Sequence, residues 1–252
     1  LHMHWKVFST KPATRQYSIR RYEFDDYLLR RAGATVLQHK VRKIERHHGD
    51  HVIDGEFRSK YLVGAGGTSC PVYRTFFHDS LPRAGALQTA TLEHEFAYDW
   101  KDPTCHLWFF DGRLPGYAWY VPKAGGYINV GLGGMAEQLK KQDGHLRDYW
   151  REFIGKLKKR GLVDYEAYDP RGYSYYVRGE VDAVCEGNTY IVGDAVGLAT
   201  RDMCEGIGPA VRSSLLAARS IATGEPYSLA GIGTLSGKGL PSRLLERQFA
   251  RH

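Results

Sequence analysis

The stretch YIVGDAVGLATRDMCEGIGPAVRSSLLAARSI, residues 190 to 221, leaves this chain few ways to fold. It opens as a short apolar strand, breaks at Gly193-Asp194, crosses a glycine-bearing loop and closes as a helix rich in small residues. A strand that ends on glycine allows another backbone or a ligand to come close, and Asp194 then stands at the strand tip. An ionised carboxylate there accepts hydrogen bonds from hydroxyls, as on a sugar or sugar alcohol, with charge-assisted strength. Glu205-Gly206-Ile207-Gly208-Pro209 enters the helix with Pro in the first turn, where its missing N–H costs nothing. The open N–H groups of that helix end favour negative charge. The pattern reads as a polyol acceptor beside an anion-stabilising dipole. It also reads as a capped turn and a bend that glycine permits, and spacing alone does not separate the two.

The rest of the chain supplies the context. EFDDYLLRRAG predicts a short helix, with acidic residues at its start, Tyr27, Leu28 and Leu29 for burial, and Gly33 as its stop. ATVLQHKVRKIERH and HVIDGEFRSKYLVGAGG read as β-rich, with turns around His48 to Asp50 and at Asp54-Gly55. KYLVGAGG has the profile of a strand whose C-terminal end opens onto a ligand. From about Gly85 to Arg178 the segments are aromatic and mostly alternating, as in an antiparallel sheet, and a helix is expected over residues 144 to 160. The architecture expected is mixed α/β: a discontinuous lobe from residues 1–84 and 181–224, an inserted β-rich lobe over 85–180 and a C-terminal extension over 225–252. Such an arrangement predicts a ligand cleft at the lobe junction.

Composition narrows the classes. The 252 residues are enough for a substantial core, and no apolar run approaches the roughly 20 residues that cross a bilayer. Cys70, Cys105, Cys185 and Cys204 lie far apart, without C-x-x-C spacing or paired histidines nearby, so no metal site and no disulfide framework is expected. Reduced thiols point to a cytoplasmic setting. The formal charge of +7 is spread along the chain, which predicts solvated faces and no nucleic-acid partner. In HLRDYWREFIGKLKKRGLV, residues Leu146, Tyr149, Trp150, Phe153, Ile154 and Leu157 recur at helical spacing and predict core packing in preference to a membrane anchor, although peripheral membrane contact stays open. The chain opens LHMHWKVF, without an initiator Met or a signal segment, and is expected to be truncated or processed.

Four motifs, in a fixed order, carry a resemblance. GDAVGLATRDMCEGIGPAVRSSLLAARSI resembles the C-terminal flavin-binding segment of the oxidoreductases that include geranylgeranyl reductases, aromatic hydroxylases and flavin-dependent halogenases. RRYEFDDYLLRRAGATV is similar to their Arg-x-x-Phe-Asp helix, here Arg21, Phe24 and Asp25. KYLVGAGGTSCPVYR matches the segment holding Gly66, Gly67, Ser69 and Arg74, and PGYAWYVPKAGGYINVGLGG resembles the Tyr-x-Trp-x-Phe-Pro element of the geranylgeranyl reductase branch. The resemblance covers most of residues 18 to 222. It implies a partial FAD-binding Rossmann-like lobe with an inserted antiparallel substrate lobe. Asp194, following Gly193, would bind the ribityl chain of FAD. The N–H groups of Gly206, Ile207 and Gly208 would face the isoalloxazine, and Arg21, Gly66 and Gly67 would lie near the cofactor. Tyr117, Trp119 and Pro122 would line the substrate side.

Two departures from the family pattern matter. These residues hold no Gly-x-Gly-x-x-Gly after a strand, the motif that cradles the FAD pyrophosphate, which predicts poor FAD affinity for these residues alone; GAGGTSC leads to Pro71 instead of a helix. Ala65 stands where many relatives carry Asp. The resemblance implies FAD as cofactor, with NAD(P)H as a possible reductant and an apolar, prenyl or lipid-like substrate whose double bonds are reduced. A monooxygenase or halogenase acting on an aromatic substrate, and a non-catalytic truncated or degenerate flavoprotein, are the alternatives. Tyr117, where halogenases typically carry Trp, fits the prenyl reductase form. Trp108, Phe109 and Phe110 are expected to pack the β lobe, Cys204 to be an inert thiol, and His94 and His106 to be structural.

Overall fold

The structure is a computed structural model that describes residues 1–13, 17–142, 145–164, 169–181, 184–237 and 239–251. Gln16 in the first extended segment, Gly144 at the start of the expected helix, Asp182 and Ala183 at a lobe boundary, and Lys238 and His252 in the C-terminal extension lie outside the described residues. The chain divides into two compact units, Leu1–Gln38 with Ala90–Tyr173, and His39–Thr89 with Ser174–His252.

In the first unit, glycine turns set the strand order. Gly125 and Gly126, both at positive φ, close a hairpin between β9 (Gly116–Lys123) and β10 (Tyr127–Met135), in register from Lys123↔Tyr127 to Gly116↔Gly134. Together with β1 (His2–His4), β2 (Ser9–Thr10), β7 (Gln88–Ala97), β8 (His106–Phe109) and β11 (Arg171–Tyr176), they make a seven-stranded sheet in the order β11-β7-β10-β9-β8-β1-β2. The sheet is mixed, because β1 runs parallel to β8 where an antiparallel sheet was expected. That pairing joins β1 to the sheet, and Leu1–Gln38 fall in the first unit, not with the lobe around Asp194. One face packs on α3 (Leu146–Lys159): Trp150, Phe153, Ile154 and Leu157 meet Trp108, Ala118, Tyr120, Ile128, Val130 and Leu132. The helical stripe read from sequence is therefore core. A short α2 (Ala136–Lys141), not expected from the sequence, precedes it. Trp108 and Phe109 are buried as expected.

Helix α1 (Arg21–Ala32) forms where the sequence places it and stops at Gly33, φ 60°. None of its residues is buried, so the expectation for Tyr27, Leu28 and Leu29 is not met. Their apolar character is real, but they stay 40–56% exposed.

The second unit holds two small sheets. In the first, β3 (Ile44–His47), β4 (Asp50–Ile53) and β5 (Phe57–Ser59) are joined through His48-Gly49 and Asp54-Gly55, all four at positive φ as tight hairpins require. In the second, β6 (Leu62–Gly64) runs parallel to β13 (Thr189–Ile191), which pairs with β12 (Cys185–Glu186). Helix α4 (Ile207–Thr223) follows, and α5 (Leu240–Arg251) ends the described chain. After Pro71 the backbone does turn helical, with a π-helical turn at Tyr73–Phe77 where no helix was expected. Among the described residues no helix is long and apolar enough to cross a membrane.

Candidate functional site

Parallel register brings the ends of β6 and β13 level, with Gly64 opposite Ile191. The chain leaves both strand tips through glycine, into turns at Gly67–Ser69 and Gly193–Ala195 that lie side by side. The C-terminal ends of neighbouring parallel strands are where open α/β sheets bind ligands. Gly193 has φ 58°, and a Cβ there would sit 3.0 Å from the Ala210 Cβ of α4. Its N–H donates to Ser213 Oγ (3.0 Å), and that hydroxyl donates to the Ala210 carbonyl (2.9 Å). The small residues of α4 thus let the helix seat directly on the strand exit.

Asp194 is half-buried, and Gly206 faces it: a Cβ on Gly206 would lie 3.1 Å from Asp194 Oδ1. Gly206 is the N-cap of α4 and makes no side-chain cap hydrogen bond; a Cβ on Gly208, in the first turn, would meet nothing within 4 Å. The carboxylate and the open helix end inferred from the sequence are therefore neighbours.

Arg83, which the sequence reading missed, organises the opposite wall. Its guanidinium donates to the carbonyls of Thr68 (2.6 Å) and Ala195 (2.7 Å) and lies 3.6 Å from the centre of the Tyr73 ring. It thereby ties the turn after β6 to the turn after β13. Burial lowers its pKa, opposed by neighbours that include Asp194. Two buried polar atoms here have no hydrogen-bond partner, Arg83 Nε and Thr68 Oγ1. Orphaned polar atoms beside a carboxylate and an uncapped helix end suit a polar ligand that supplies the missing partners. No sequence signal marks Arg83, which works through backbone carbonyls 15 and 112 positions away.

The loop from Leu198 to Gly206 is braced by the C-terminal segment. Arg201 N–H donates to the Thr234 carbonyl (2.9 Å), and fully buried Asp202 accepts from Ser236 N–H (2.8 Å) and Oγ–H (2.6 Å). Buried Arg178, whose N–H reaches the Ala199 carbonyl, donates its guanidinium to the carbonyls of Ile232 and Leu229. Residues 225–251 are thus part of this unit, not a separate extension. Burial, with the Asp202 and Glu205 carboxylates nearby, pushes the Cys204 thiol up to about 12, so it is protonated and unreactive near neutral pH.

The structure brings Gly66, Gly67, Gly193, Asp194, Gly206, Ile207 and Gly208 together in the second unit. Arg21, Tyr117, Trp119 and Pro122 belong to the first unit. Arg21 makes an exposed i,i+4 ion pair with Asp25 (2.7 Å). Tyr117 and Trp119 share the face of β9 away from α3, their rings 5.7 Å apart, and Tyr117 lies 5.4 Å from Phe109. The Trp119 indole donates to Asn129 Oδ1 (2.5 Å) and covers Gly131, where any Cβ would collide with it. Pro122 corrects the expectation: strand alternation turns it to the opposite, buried side, so it does not share a surface with the two aromatics.

This fold is the one found in FAD-dependent oxidoreductases. The chain superposes on a geranylgeranyl bacteriochlorophyll reductase-like protein from Thermoplasma acidophilum with a TM-score of 0.70, at 17% identity over 99% of this chain and 65% of that one. It superposes on CmlS, a flavin-dependent halogenase, with a TM-score of 0.60, at 17% identity over 92% of this chain and 44% of that one. In sequence, it is 32% identical to an uncharacterised protein of Methanosarcina barkeri over 81% of this chain and 52% of the relative. It is 25% identical to a digeranylgeranylglycerophospholipid reductase of Methanosarcina mazei over 56% of this chain and 34% of that protein. The chain therefore spans about half the length, or less, of these curated relatives. No protein-family model matches it.

Proposed function

We propose that this chain forms the flavin-facing and substrate-facing part of an FAD-dependent reductase that acts on double bonds of an apolar, prenyl or lipid-like substrate, with NAD(P)H as electron donor. The observation that carries the flavin reading is the meeting of the two strand tips, where Asp194 lies against Gly206 at the uncapped start of α4 and Arg83 ties together the turns after β6 and β13. Asp194 accepts hydrogen bonds from the ribityl hydroxyls. The N–H groups of Ile207 and Gly208 turn the positive helix end toward negative charge on the ring, the preorganised electrostatics of an oxyanion hole. Bound flavin supplies hydride transfer, and the protein supplies orientation and field. The likeness to a digeranylgeranylglycerophospholipid reductase and the Tyr117–Trp119 face support an apolar substrate.

The test is FAD titration of the purified protein and its Asp194→Ala variant, followed by flavin fluorescence. Loss of an acceptor for buried hydroxyls weakens binding by about 1–3 kcal/mol, roughly 5- to 150-fold. An unchanged affinity removes Asp194 from the site. A protein that saturating FAD neither colours nor stabilises against heat refutes the flavin reading for these residues. Reoxidation of the reduced protein by a prenyl lipid without oxygen supports the reductase, whereas strict oxygen dependence moves the assignment to the monooxygenase or halogenase branch.

A further inference from the structure

Sequence spacing gives no metal-binding pattern, but strand pairing assembles one. His2 and His4 are two apart on β1 and so share a face of the sheet. Parallel pairing with β8 sets His2 opposite His106 and His4 opposite Trp108. Three imidazoles separated by about a hundred residues therefore meet on the α3 side of the sheet, in the first unit. His4 Nε2 lies 2.9 Å from His106 Nδ1, and one ring nitrogen from each of the three falls within 4.8 Å of the others. His106 is buried; His2 and His4 are half-buried.

The outer partners favour coordination. His106 Nε2 is 2.9 Å from Asp102 Oδ2, and Asp102 is itself fixed by the Thr104 N–H (2.8 Å). A carboxylate at Nε2 keeps the proton there, so Nδ1 presents its lone pair toward the other two rings. This is the carboxylate–histidine pairing that orients metal ligands. In the metal-free arrangement His4 donates Nε2–H to that lone pair. Moving one proton from His4 Nε2 to its Nδ1 frees a second lone pair with no change in charge. Four-coordinate zinc at about 2.0–2.1 Å from nitrogen needs ligand atoms about 3.3 Å apart, which a rotation of half-buried His2 brings within reach.

We propose that His2, His4 and His106 form a binding site for one divalent transition-metal ion of the zinc class, with Asp102 as the positioning residue. Three imidazoles leave a fourth position for water or an exogenous ligand, the pattern of open zinc sites. His4 also lines an open cavity of about 330 Å³ with Lys6, Lys156 and Arg160. These cations oppose a dication, Asp102 offsets them in part, and together they favour an anionic fourth ligand. Lys156 is already paired with Asp111 (2.5 Å).

Isothermal titration of the EDTA-treated, dialysed protein with Zn²⁺, and visible spectra with Co²⁺, test this. The expected result is one ion per chain, with cobalt d–d bands of a four- or five-coordinate site. His106→Gln and His2→Gln are each expected to abolish tight binding, and Asp102→Asn to weaken it about 10- to 100-fold, while exposed His78→Gln changes nothing. His2→Gln leaves the buried core intact and so remains informative if the His106 variant misfolds, which circular dichroism reports. The absence of saturable binding, or binding that survives both histidine substitutions in folded protein, overturns the proposal.

Discussion

The wall around Asp194 and the face around Trp119 are built in opposite ways. At the strand tips of the second unit, geometry comes mainly from backbone: glycines bring Asp194, α4 and two turns together, and Arg83 reaches the carbonyls of both turns. On the sheet of the first unit, geometry comes from aromatic bulk: Tyr117, Trp119 and Phe109 on one face, Trp108 and Tyr120 on the other. The first construction fails when atoms are added, and the second when they are removed.

The largest expected effect breaks the second construction. Trp108→Ala opens a cavity among Phe153, Ala118 and Tyr120 and costs about 3–5 kcal/mol, measured by chemical denaturation, with hydrogen exchange rising in residues 90–173. Gly193→Val breaks the first. It forces a β-branched residue to φ 58° against Ala210, which costs about 1–3 kcal/mol in backbone strain alone and removes flavin binding in titrations of the folded fraction. Wild-type affinity in that variant would show that the turn does not shape the pocket.

A smaller effect follows from His4, whose pKa burial, followed by the charges of His106, Arg160, His2 and Lys156, lowers from 6.5 to about 4. The unfolded chain binds the proton first, so stability from this group is full above about pH 6.5 and is lost as pH falls toward 4. His4→Phe is expected to flatten the fall in Tm across that window relative to the wild type. The smallest effect is that of Arg21→Ala: removal of an exposed i,i+4 pair costs about 0.2–0.5 kcal/mol. A loss of FAD affinity beyond that amount would place Arg21 at the cofactor after all.

What the sequence made legible was local. Gly193-Asp194, the Gly206–Gly208 entry to α4, the glycine turns of the hairpins and the stripe of α3 all lie within a few residues of the groups they position. The parity of Pro122 was equally readable, since numbering alone puts it on the other face from Tyr117 and Trp119. The parallel β1–β8 pairing, the grip of Arg83 on Thr68 and Ala195 and the meeting of His2 and His4 with His106 were not. Each joins groups far apart in the chain through contacts that leave no periodicity. Leu28 and Leu29 show the converse: an apolar stripe predicts burial, but nothing in the stripe says what covers it.

The brace on the Leu198–Gly206 loop also sets an order of events at the ribosome. Arg201, Asp202 and Arg178 each take hydrogen-bond partners between Leu229 and Ser236. Helix α4 can form as soon as it emerges, yet the loop that leads into it gains this brace only when residues 229–236 arrive. The wall around Asp194 therefore matures only after residues 229–236 have emerged, and a nascent chain stopped before Ser236 carries every glycine of that wall without its brace.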